Sequence, residues 1–98
     1  MDDTNLRVTT RSALDEGLVL VVEGYLDDDG GWTLAREARA VPVAVHRRIF
    51  IDLDAVCLFN CSGARRLISI LRELDTQGTE VDLVGVHPSL RMFLDLAA

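Results

Sequence analysis

Four adjacent residues of this 98-residue chain bring reactive side chains to one place: Asn60-Cys61-Ser62-Gly63. They separate an apolar run (49–59) from an amphipathic one (64–74), so they read as a strand-to-helix turn. A helix start carries unpaired backbone N–H groups and the positive end of the macrodipole, an environment that favours anions and thiolates. Cys61 and Ser62 would put a thiol and a hydroxyl there, with Arg65 and Arg66 one turn further on. The same residues have plainer roles: Asn60 or Ser62 as a helix cap worth about 1 kcal/mol, and Cys61 as a small inert residue. Gly63 would permit close helix–strand packing or the approach of a partner.

The other candidates are weaker. Asp27, Asp28 and Asp29 are consecutive, whereas a calcium loop needs acids at alternate positions, so they read as a solvated loop tip. Cys57 and Cys61 lie four apart without a CxxC, and His46 and His87 are distant in sequence. A metal site is therefore not expected; both thiols should be free, with Cys57 filling the core. Asp52, at a strand end, should brace the following turn through backbone N–H groups, and His46-Arg47-Arg48 should be a solvated connector. A thiol phosphatase would need an Arg where Leu67 stands, and Arg65 and Arg66 come too early. There is no Gly-rich nucleotide loop or Ser-His-Asp set. No catalytic set is therefore expected, and no cofactor.

The elements that would position these residues alternate along the chain. A short strand at 6–10, a turn at Asp15-Glu16-Gly17 and a β-branched-rich run at 18–22 suit a hairpin, the second strand being buried on both faces. Residues 24–31 look like a loop. From Trp32 a helix carries Leu34, Ala35, Ala38 and Val41 inward and ends by Pro42. A strand at 49–53 precedes the turn; Leu67, Leu71 and Leu74, flanked by Ala64, Ile68 and Ile70, form the stripe of the next helix. Arg65, Arg66 and Ser69 are left on its outer face. Gly78 suits a left-handed cap, 81–86 a last central strand, and Pro88 the start of a final helix. The expected fold is a single α/β domain over 1–98, order ββαβαβα, with a mixed, mostly parallel sheet of about four strands.

Composition narrows the partners. The formal charge of −6 argues against unaided binding of nucleic acid or anionic lipid, whose phosphates need a cationic face. Every basic residue besides histidine is Arg, so lysine chemistry is excluded. No apolar stretch is long enough to span a bilayer, and the acidic start Met1-Asp2-Asp3-Thr4-Asn5 is unlike a signal peptide. A cytoplasmic protein is expected, without direct membrane insertion.

With these elements placed, residues 49–63 resemble the core signature of the STAS family, the bacterial anti-sigma factor antagonists. That signature is an apolar strand with Asp, a short apolar bridge, then Asp-Ser-Ser-Gly opening a helix. Asp52 falls on the strand Asp, and Asn60-Cys61-Ser62-Gly63 falls on the tetrapeptide. Residues 22–27, Val-Glu-Gly-Tyr-Leu-Asp, are similar to the family's Gly-Glu-Leu-Asp turn, and 81–96 resemble its last strand and helix.

The resemblance implies a non-catalytic protein that sequesters an anti-sigma factor of the serine-kinase, histidine-kinase-like ATPase class and so regulates sigma-factor-dependent transcription by partner switching. It implies a contact surface of Tyr25, Asp27, Asn60, Cys61, Ser62, Gly63, Arg65, Arg66 and Ser69. The family's kinase phosphorylates the first Ser of the tetrapeptide. Here that position is Cys61, so the usual switch is not expected, with Ser62 only a weak substitute acceptor. The resemblance leaves open a subunit of a lipid- or anion-transport or signalling assembly, a thiol-responsive switch at Cys61, and a homodimer.

Overall fold

A computed structural model describes residues 5–13, 17–42 and 47–97. Residues 1–4, Asp15 and Glu16 of the expected turn, and His46 of the expected connector lie outside the described residues. The elements run β1 (Leu6–Ser12), β2 (Leu18–Leu26), α1 (Asp28–Arg39), β3 (Arg48–Phe59), α2 (Cys61–Thr76), β4 (Glu80–Val84) and α3 (Pro88–Ala97). This is the expected ββαβαβα order. The sheet order is β1-β2-β3-β4; β1 and β2 are antiparallel, and β2–β3 and β3–β4 are parallel.

Spatial order follows chain order. Two successive right-handed crossovers stepping the same way along a sheet therefore leave both helices on one face. Leu20, Val22 and Leu26 of β2 and Ile49, Ile51 and Leu53 of β3 accordingly share one core with Leu34 and Ala38 of α1, Leu67 and Ile70 of α2, and Leu90 and Leu94 of α3. The alternate residues Val19, Val21, Tyr25 and Phe50 are only half-buried. So β2 is covered on one face, not on both as its continuous apolar run led us to expect. Salt bridges on the open face, Arg7–Glu23 at 3.4 Å and Arg48–Asp82 at 2.7 Å, keep it polar.

Several boundaries move, each for a local reason. β1 extends to Ser12 and β2 to Leu26, because pairing runs from Leu6↔Gly24 to Ser12↔Leu18 and β3 supports the far end through Leu26↔Phe59. The residues between 53 and the turn are not a bridge but the second half of β3, with register shifts against β2 between Val21 and Glu23 and between Gly24 and Tyr25. α1 starts at Asp28, not at Trp32. The acidic triplet is thus its cap and first turn, where carboxylates meet the positive end of the helix. β4 stops at Val84, short of 86, because Gly85 adopts φ 68 and turns the chain. Gly78, at φ 79, takes the left-handed position after α2, and Pro88 opens α3, both as expected.

Candidate functional site

β2 and β3 end side by side at Leu26 and Phe59, so the helices that follow them start side by side. The two starts are built alike. Asp27 caps α1, its Oδ1 accepting from the Gly30 N–H at 2.7 Å; Asn60 caps α2, its Oδ1 accepting from the Gly63 N–H at 2.9 Å. Each carbonyl also takes the next amide, Gly31 to Asp27 and Ala64 to Asn60. The Asn60 N–H donates to the Leu26 carbonyl at 3.1 Å, locking one start to the other.

Gly63 makes the close approach possible. A Cβ there would overlap the Leu26 carbonyl and lie 2.9 Å from the Asp27 nitrogen, while one on Gly31 would lie 2.6 Å from the Arg66 Cβ and 3.7 Å from the Gly63 Cα. Gly63 is buried. Of the two roles open to it, the structure gives it packing, and it offers no side-chain surface to a partner.

The two helix starts differ in charge. α1 has Asp28 and Asp29 in its first turn, while α2 has no acidic residue there. Cys61 and Ser62, the first two residues of α2, are exposed. Their amides precede the first intrahelical bonds, at the positive end of the helix dipole. This is a small exposed knob carrying a thiol and a hydroxyl. Arg65 is exposed, and Ser69, also exposed, donates its Oγ–H to the Arg65 carbonyl at 3.2 Å.

Two of the expected contact residues are placed otherwise. Arg66 is not free on the outer face. Its guanidinium lies 3.8 Å from the centroid of the Trp32 ring and 3.6 Å from Asp28 Oδ1, clamping α2 to α1. Tyr25, paired with Leu58, lies on the open face of the sheet, away from the helix layer. Asp27, Asn60, Cys61, Ser62 and Gly63 are brought together; Arg65 and Ser69 continue the surface along α2. Trp32 and Asp28 were missed by the sequence analysis. A helix starting four residues earlier would have placed them one turn apart and facing Arg66.

Cys57 is a correction. It is exposed, not a core filler, and its Sγ–H donates to the Gly24 carbonyl at 3.4 Å. The register shift there turns the side chain out of the core while Val56 and Phe59 pack inward. Both thiols are free. Asp52 does brace the backbone, accepting the Asp54 N–H at 3.0 Å, but within β3 and not at its end. Among the described residues no group of three or more His, Cys, Asp or Glu side chains is placed to hold a metal, and no helix is long and apolar enough to cross a membrane.

A STAS domain family model matches residues 6–98. Among solved structures, an anti-sigma factor antagonist from Mycobacterium paratuberculosis is similar at 23% identity and TM-score 0.76, covering 94% of this chain and 77% of that one. The phosphorylated form of SpoIIAA, a Bacillus cell fate determinant, is similar at 16% identity and TM-score 0.73, covering 94% and 84%. Mglu is similar at 16% identity and TM-score 0.69 over 76% of this chain, which spans only 18% of Mglu. At these identities the structural likeness establishes the fold alone. No curated protein matches the sequence.

Proposed function

The chain belongs to the STAS domain family, and on that premise we propose that it acts by binding, as an antagonist of an anti-sigma factor of the serine-kinase class, without catalysis of its own. The observation that carries this reading is the exposed first turn of α2, where Cys61 and Ser62 stand beside the start of α1. The docking surface is this knob with Arg65 and Ser69; Arg66, Asp28 and Trp32 hold the two helices in register beneath it.

The electrostatics explain why such a surface suits a switch. A phosphate adds about −1.5 to −2 charge. The bare amides of the α2 start would tolerate it in the free protein, whereas a partner docked on it would have to desolvate it. At Cys61 a serine kinase cannot make its normal product, so this antagonist stays competent to bind. In the cell it acts as a standing competitor for the anti-sigma factor and so favours sigma-factor-dependent transcription.

The test is affinity for a serine-kinase anti-sigma factor of the same organism, measured before and after incubation with ATP. Unchanged affinity is expected in this chain, with ATP-dependent release restored in Cys61→Ser. Loss of binding by the parent protein, with phosphate mapped to Ser62, would overturn the reading.

A further inference from the structure

A second surface lies on the other side of β3. β4 pairs with β3 only as far as Asp52↔Val84, while β3 runs on to Phe59 and pairs with β2 along its opposite edge. Gly85 ends the pairing: at φ 68 it turns the chain away, and its own backbone is so close that a Cβ would lie 2.7 Å from the Asp54 Cβ. Among the described residues, 55–59 therefore have no strand on this side. Between this edge and the start of α3 opens a cleft of about 210 Å³, lined by Leu53, Val56, Leu58 and Phe59 with His87 and Leu90.

The outer edges of the sheet are defended and this one is not. β1 presents exposed Arg7, Thr9, Thr10, Arg11 and Ser12, and β4 carries Glu80 and Asp82. Charged and polar side chains of this kind discourage strand pairing. The inner notch reads Ala55-Val56-Cys57-Leu58-Phe59, with no charge and no proline. Leu58 is 62% exposed and Val84, at the closed end, 44%. An unpaired, uncharged strand edge beside an apolar cleft combines the backbone and side-chain halves of a strand-addition site.

We infer that an extended segment of a partner protein adds as a strand beside residues 55–59, with apolar side chains at alternate positions, one entering the cleft, and a Lys or Arg beside exposed Asp54. A second copy of this chain does not fit through the same notch. Antiparallel pairing of two notches, residue 55 against 59, would set 54 opposite 60 and 52 opposite 62. The start of α2 in each copy would then fall where the other has Val84 and Gly85. Only a segment that ends or turns at Gly85 can enter. The site is independent of the α2 docking surface.

The probe is the peptide acetyl-Arg-Val-Thr-Val-Thr-Val-amide, titrated into the isotope-labelled protein, beside the same peptide N-methylated at alternate residues. Strand addition predicts amide shifts confined to 54–59 and 84–90 and slowed exchange of the β3 edge amides. It also predicts about tenfold weaker binding of the N-methylated peptide and of the Leu58→Lys variant. Leu58 is exposed, so that variant keeps the fold. Equal affinity for both peptides, shifts centred on 60–69, or no binding at millimolar peptide would overturn the inference. So would self-association that slows the same amides without peptide, which would assign the notch to a second copy.

Discussion

Replacing Gly63 by Ala tests the contact that brings the two helix starts together. The new Cβ would overlap the Leu26 carbonyl and stand 2.9 Å from the Asp27 nitrogen, against roughly 3.5 Å for an unstrained contact. Neither neighbour is a side chain that can swing away. The Leu26 carbonyl is held by the Asn60 N–H at 3.1 Å, and Leu26 is fully buried. α2 must therefore back off from β2, at the upper end of the roughly 1–3 kcal/mol typical of overpacking. It also disturbs the Asn60 cap, worth about 1 kcal/mol. A total of about 4 kcal/mol in a domain this small lowers Tm by about 16 °C or more. Gly78→Ala is the control: nothing lies within 4 Å of its Cβ, so the cost is that of φ 79 alone, about 1–2 kcal/mol. Thermal and urea unfolding followed by circular dichroism measure both variants. A Gly63→Ala protein within 1 kcal/mol of its parent, or more stable than Gly78→Ala, would refute the reasoning.

Asn60→Ala should cost about 1 kcal/mol in urea unfolding, while Asn60→Asp should hold or gain about 0.5 kcal/mol, since α2 has no acidic residue in its first turn to meet the dipole; equal losses in both variants would count against the cap. Arg66→Ala should red-shift the emission of Trp32, the only tryptophan, and cost about 1 kcal/mol through the lost cation–π contact; an unchanged spectrum would deny the stacking. Mild oxidation should leave Cys57 and Cys61 without a bond between them. Residues 57–59 lie in β3 and Asn60, at φ -126 and ψ 175, is extended as well, so a rise of about 3.3 Å per residue carries the two Cα atoms past the roughly 7 Å limit for a bridge. An intramolecular disulfide in a protein with native circular dichroism would show that β3 ends earlier.

The element order and the position of the turn were legible because they rest on local pattern. Leu67 and Leu74 at helical spacing, Gly78 at a cap and Pro88 at a helix start carry their meaning within a few residues. The match of Asp52 and residues 60–63 to the STAS signature was legible for the same reason. What failed was context. The acidic run at 27–29 is a plausible loop tip until Asp27 is seen capping α1, and Cys57 is a plausible core residue until the register of β3 against β2 turns it outward.

The sequence by itself determined that a thiol, not the family's hydroxyl, opens α2, because residue identity and a strand-to-helix boundary are local facts. Only the tertiary structure decided what surrounds it. Strand order is a matter of long-range pairing, and the order β1-β2-β3-β4 places α1 beside α2, clamps Arg66 onto Trp32, bares one face of the sheet and leaves Tyr25 on it. The notch beside 55–59 follows from the same cause: a strand's free edge is set by where its neighbour stops, which no residue in that strand records.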